Sequence, residues 1–218
     1  MMSSEIRVWD PLVRIFHWGL VLTFTVAYLS GDEESSLHIY AGYILLGLIV
    51  FRVLWGLVGT RYARFSDFVY SPGIVIQYLK DMVAKKPKHY IGHNPAGGAM
   101  VIAMLLCLFV VSVSGLKVYA IEEGLGPLAG KTPALTIISP AHADDDEDDH
   151  NDHEKNEKGH GKDGEGEEFW EEIHEVSSNI MLLLIFLHIT GVIAAARLHD
   201  ERLVKAMFTG KKTSKTDT

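Results

Sequence analysis

The chain's eleven histidines fall into two groups, and one group has a spacing that could do chemistry. His17, His38, His174 and His188 lie in, or at the ends of, long apolar stretches. Ionisable side chains in such surroundings are costly to bury and mark function by default. One such residue can be a satisfied core histidine, but four invite another reading. His174 and His188 are 14 residues apart. On an α-helix that is about 1400°, roughly 40° short of four turns, so both rings share a face about 21 Å apart along the axis. Neutral imidazole nitrogens are common metal ligands.

These histidines need elements to position them. Four stretches are nearly free of Asp, Glu, Lys and Arg: Ile15–Gly31, Leu37–Thr60 with Arg52 inside it, Tyr90–Leu116 and Val176–Ala196. A membrane-crossing helix needs about 20 apolar residues, and all four qualify. Asn94-Pro95 supplies an N-cap and a first-turn proline, so the third helix starts near Pro95 rather than Tyr90. The expected spans are about 12–30, 37–58, 95–118 and 170–197 of the sequence. The fold class is therefore an all-α membrane protein, a four-helix transmembrane bundle. The first span is read as a retained helix, because no small-x-small cleavage site follows Leu29 and the next loop is acidic. Gly73–Ala84 is short and mixed, as suits a helix lying on the membrane interface. Residues 124–143 are apolar but broken by Pro127, Pro133 and Pro140, which suits the opposite interface.

Charge orients the bundle. Asp144 to Glu172 holds fifteen acids and three lysines, a local −12 within a chain of net charge −8, and the rest is net +4. A pI of 5.7 describes neither part. The 31–36 turn, GDEESS, has acids and no base. The 61–94 loop carries Arg61, Arg64, Lys80, Lys85, Lys86 and Lys88 against Asp67 and Asp81, and the 198–218 tail is also basic. The positive-inside rule then puts both termini and the 61–94 loop in the cytoplasm, with the acidic 121–169 insert periplasmic. Low complexity and charge mark 144–168 as disordered. No nucleic-acid partner is expected; membrane lipid is.

Depth pairs the four histidines. His17 starts the first helix on the inner side, and His188 lies at the inner end of the fourth. His38 starts the second helix on the outer side, level with His174. Two histidines alone do not complete a tetrahedral zinc site, and no carboxylate lies at the inner depth. Haem supplies four equatorial nitrogens and needs only axial ligands. A four-helix bundle core can contain so large and apolar a group. With the lone Cys107 there is no C-x-x-C-H motif and no intrachain disulfide, so the haem would be non-covalent.

Arg52 is 14 residues after His38, and Arg14 three before His17. Either can pair with inner propionates, or simply snorkel to the inner interface. Lys117, at the outer end of the third helix, is a weaker candidate for outer propionates. Trp18, Trp55 and Trp170 read as interface anchors. His89 and His93 can approach the inner site or a quinone pocket, or only line a polar loop, and His199 belongs to the tail. His142, His150, His153 and His160 lie in the acidic insert, where a loose divalent-metal site competes with plain solvation.

Four segments together resemble a known family: RVWDPLVRIFHW (7–18), HIYAGYILLGLIVFRVLWGLVG (38–59), GHNPAGG (92–98) and IHEVSSNIMLLLIFLHITG (173–191). They are similar to the bacterial cytochrome b561 family, which groups with cytochrome b subunits of nickel–iron hydrogenases. The resemblance implies four membrane helices and two b haems with axial histidines from the first, second and fourth helices. Carried onto this chain, those ligands fall on His17, His38, His174 and His188. The long acidic insert departs from the family pattern.

The expected function is electron carriage across the bacterial inner membrane, between the quinone pool and a periplasmic redox partner such as a c-type cytochrome. The alternatives are a hydrogenase cytochrome b subunit and a superoxide or quinone oxidoreductase. A remote one is a divalent-metal-binding membrane protein, which leaves the depth-matched histidines unexplained. An electron-transfer role is expected over stand-alone catalysis.

Overall fold

A computed structural model describes residues 4–31, 35–129 and 163–214. Most of the acidic insert, and with it His142, His150, His153 and His160, lies outside these residues. The elements run β1 (Ser4–Arg7), α1 (Pro11–Leu29), α2 (Ser36–Val58), a 3₁₀ turn at Arg61–Ala63, α3 (Phe65–Phe68), α4 (Pro72–Val83), α5 (Pro95–Glu122), α6 (Asp163–His199), α7 (Leu203–Thr209) and β2 (Lys211–Ser214). α1, α2, α5 and most of α6 are long and apolar enough to cross a membrane. Their outward faces carry Leu22, Leu57, Leu106 and Phe186, each more than 60% exposed, as a lipid-facing surface requires. The chain is a multi-pass, four-helix membrane protein.

Each long helix starts where local chemistry dictates. Asp10 precedes Pro11, and its Oδ1 accepts the Val13 backbone N–H at 2.9 Å. Ser35 caps α2 and Asn94 caps α5, the latter accepting from Gly97 N at 2.7 Å. Proline at the first helical position costs no hydrogen bond there. The four spans pack α1 on α2, α2 on α5, and α5 on α6. Lipid offers no hydrophobic drive between helices, so close packing must hold them together. The central cluster is Phe24, Ala27, Ala41, Leu45, Ile49, Leu108 and Met181, and its two alanines let α1 and α2 approach.

The structure departs from sequence expectation at both ends of the insert and in the tail. α5 runs on to Glu122 rather than stopping near 118, and α6 begins at Asp163 rather than near 170. Residues 163–168 are therefore helical, a correction to the disorder expected there. Acids are favoured in the first turns of a helix, which offsets the two glycines of DGEGEE once α6 supplies a nucleus. The tail is also more than basic chain: α7 leads into β2, which pairs antiparallel with β1, Ile6 opposite Lys212. Val8 and Trp9 N–H groups donate to the Gly210 carbonyl at 2.9 and 3.1 Å. Both chain ends thus meet at one end of the bundle. A second cluster, Val8, Trp9, Val13, Ala63 and Ala206, seals them together.

Asp10 also bolts α2 to α1: its Oδ2 accepts from Trp55 Nε1 at 3.2 Å and Thr60 Oγ1 at 2.5 Å. Trp55 is thereby a structural tie as well as a span-end aromatic. Burial raises the Asp10 carboxyl, but the bonds from Thr60, Val13 and Trp55 outweigh it and leave it below its ordinary 3.8. A lowered carboxyl contributes stability that is complete above 3.8 and is lost as pH falls through the lowered value. Asp10→Ala should cost about 1–3 kcal/mol, read as thermal unfolding in detergent. Asp10→Asn should flatten the acid limb of the stability–pH curve.

Candidate functional site

Two of the sequence-derived histidines meet in the interior. His38, in the first turn of α2, faces His174 on α6, with ring centroids 6.0 Å apart and planes 83° apart. His38 Nδ1–H donates to the Ala27 carbonyl at 2.9 Å, and His174 Nδ1–H to the Val111 carbonyl at 3.0 Å. The acceptors are carbonyls of α1 and α5. Each bond fixes a tautomer and leaves Nε2 for a ligand, the outer-shell arrangement typical of metal-binding histidines. Metal–nitrogen bonds of about 2 Å to both rings need roughly the observed centroid separation. Ser114 closes the support, its hydroxyl donating to Val110 O at 2.8 Å and lying 3.2 Å from His174 Nδ1.

Space is kept for His174 by the lack of a side chain at Gly115, where an added Cβ would stand 2.9 Å from its Cε1. Lys117, two residues on, is at this end of α5 and half-buried.

At the other end, His17 on α1 and His188 on α6 are close enough for their charges to interact. His17 Nδ1 is buried without a hydrogen-bond partner, and its ring meets Trp18 edge-on at 5.1 Å. Arg14, one turn earlier, donates through Nη1 to the Phe208 carbonyl, and its Nε is buried and unpartnered. Its main tie is thus to the C-terminal end of α7, where a cation is favoured. Trp18 stacks on Phe208 at 4.5 Å, so it anchors the tail as well as a span end. Arg52 is only 3% exposed. It packs over Phe65 at 5.0 Å and Phe68 at 5.7 Å, with Nη1 unpartnered. Buried among rings, it is not snorkelling to an interface.

Sequence reasoning missed the surroundings at this end of the bundle. His93 is touched edge-on by Trp9 and at a tilt by Phe68, each with its centroid 4.5 Å away, and its Nδ1 is buried and unpartnered. Burial first, then the charges of Arg52, Lys212 and His188, push it down to about 3. It is neutral at any physiological pH. The position of Phe68 depends on Gly98, where a Cβ would stand 2.2 Å from the Phe68 carbonyl. Outside this cluster, His89 Nε2 bonds Glu201 at 2.6 Å, and Lys212 Nζ bonds the other Glu201 oxygen at 3.1 Å. His199 joins them, 5.4 Å from His89. The signal that existed was local: Trp-Asp-Pro reads as a capped helix start, and His-Asn-Pro as another.

A profile of prokaryotic cytochrome b561 matches residues 8–210. The chain belongs to that family. Its fold is therefore that of a membrane-embedded b-type cytochrome, and its expected cofactor is haem b. Among curated proteins it is similar to a probable Ni/Fe-hydrogenase B-type cytochrome subunit of Azotobacter vinelandii, 30% identical over 159 residues, covering 57% of this chain and 62% of that one. The corresponding subunits of Rhodobacter capsulatus and Escherichia coli K12 are 26% and 28% identical over 154 and 142 residues, covering 56% and 52% of this chain and 58% and 60% of theirs. The chain thus spans about three-fifths of the length of these relatives. No solved structure matches it.

Gly115→Val tests the space kept for His174. The added branch must push the imidazole away from His38, at an overpacking cost of about 1–3 kcal/mol. The expected result is less b-type absorbance per chain at unchanged helical circular dichroism.

Proposed function

We propose that the chain carries electrons across the membrane through two b haems, one held by His17 and His188 and the other by His38 and His174. The observation that carries this is the outer pair: two rings at a ligand-sharing distance, each with Nδ1 engaged by a backbone carbonyl. The inner pair supports it with buried nitrogens lacking any protein partner, on His17, Arg14 and Arg52. Haem supplies reversible one-electron chemistry, and the protein supplies ligation, spacing and a dry interior. His174 and His188 share α6 and put the two sites about 20 Å apart along it. The supporting carbonyls and serine keep the outer rings oriented through a redox cycle, so little reorganisation is required of them.

Arg52 is the strongest side chain for an inner carboxylate, Arg14 contributes through Nε, and Lys117 stands at the outer end. The basic 61–94 loop and tail support a cytoplasmic inner end, with the acidic segment periplasmic. Quinone is the membrane-soluble exchange partner on this reading. The relatives' printed names favour a hydrogenase as the other partner. A basic periplasmic c-type cytochrome is the second reading, favoured by the −12 segment and by Glu122, Glu167 and Glu171, whose carboxylates gather within 4.8 Å.

Pyridine extraction of the purified chain should yield about two haems, and His188→Ala should lose one of them. A full complement after that change would sink the ligand assignment. Deleting residues 144–168 should leave haem content intact. On the second reading it slows reduction of a basic cytochrome roughly tenfold at low salt and flattens the salt dependence. Unchanged rates exclude that docking role.

A further inference from the structure

His93 has no part in the ligand sets above, yet its half-buried ring seals one nitrogen away from any partner. It lies between Trp9 and Phe68, with Nδ1 buried and unpartnered. Arg52 packs on that same Phe68, and its Nη1 is likewise buried and unpartnered. Arg52 takes part in none of the ion pairs among the described residues. Asp10, the acid whose charge reaches it, has both oxygens occupied by Val13, Trp55 and Thr60. Glu201 is turned to His89 and Lys212. A buried guanidinium without a counter-charge and a buried ring nitrogen without a partner are each costly. Two such groups on one phenyl ring mark the seat of an anion with two oxygens.

Position selects the anion. The walls are Trp9, Phe65 and Phe68, so a freely hydrated ion would lose its water there for little return. His93 is within electrostatic reach of His188, an inner-pair member. A carboxylate attached to a large apolar ligand beside His188 meets both conditions. We propose that His93 and Arg52 together hold a propionate carboxylate of the inner haem, Arg52 as counter-charge and His93 as a neutral N–H donor. His93 is then a positioning residue: held by its contacts with Trp9 and Phe68, it sets where the carboxylate lies without adding charge. The inference rests on the haem reading above and adds to it a role for the 92–98 segment.

The test uses the full-length, haem-loaded protein. His93→Phe keeps an aromatic ring there and removes the donor; His93→Gln keeps an N–H donor. Redox titration should show His93→Phe moving one haem to a more negative potential and leaving the other in place, because an unpaired carboxylate favours the ferric form. That haem should pass to excess apomyoglobin roughly tenfold faster, the loss of one charge-assisted hydrogen bond. His93→Gln should fall between wild type and Phe. Arg52→Met should reproduce the shift, and the double variant should be less than additive. In protein loaded with haem dimethyl ester, His93→Phe should have no further effect; a persisting effect means that a lipid phosphate or other anion sits there and overturns the proposal. So do unchanged potentials, equal damage from Phe and Gln, or additive effects. A chain that binds no haem, or keeps every haem after His188→Ala, fails at the underlying reading, and the inference falls with it.

Discussion

A polar ring inside a bilayer must have its nitrogens answered by protein or ligand, because no water is there to answer them. This constraint organises the structure. His38 and His174 meet it on one side by reaching backbone carbonyls of neighbouring helices, Ala27 on α1 and Val111 on α5. Each of those carbonyls also accepts a serine hydroxyl, Ala27 from Ser30 at 3.3 Å and Val111 from Ser114 at 3.1 Å. Ser30 ends α1 three residues after Ala27, and Ser114 turns its hydroxyl back into α5. The rings are thereby fixed in tautomer and direction, and their free nitrogens are committed to whatever stands between them. The inner end meets the same constraint differently. His17, Arg14, Arg52 and His93 keep buried nitrogens unanswered by protein, a concentration of unmet polar groups that native interiors avoid unless something is bound.

The two ends also differ in how they are closed. Around His38 and His174, the walls come from the spans themselves. Around His93, Arg52 and Arg14, they come from segments far apart in sequence: Trp9 before α1, Phe65 and Phe68 in the α2–α4 connection, Gly98 at the start of α5, and Phe208 in α7. Each contributes a ring, a gap or a carbonyl rather than a large area of contact. Such an assembly is specific because removing any piece opens a buried polar group to lipid or water.

Much of the bundle was legible because membrane spans and histidine depth are read from composition and one helical period. His174 and His188 share α6, and depth alone paired them with His38 and His17. What could not be read was whatever depends on contact between distant segments. No local rule brings Glu201 to His89 or lays Lys212 opposite Ile6. The β1–β2 pair is four residues long on each side, too short for a period-two pattern to show. The early start of α6 was hidden by charge: its first turns look like solvated coil in composition and become helix only because a long apolar helix follows. His93 was noticed, but its enclosure needs Trp9 and Phe68, which nothing in the sequence ties to it.

Both histidine pairs draw one member from α6, and the tail that packs beneath the inner pair follows α6 in the chain. During synthesis α1 and α2 therefore enter the membrane each carrying a single imidazole with no opposing ring, and α5 adds none. Nothing upstream of residue 174 can complete either pair. Insertion of one helix then completes both, and the last strand to emerge fastens itself to the first one made. Assembly is thereby ordered by translation itself: pairing of the imidazoles waits for the fourth span, and the closing of the end beside the chain termini waits for residues 211–214.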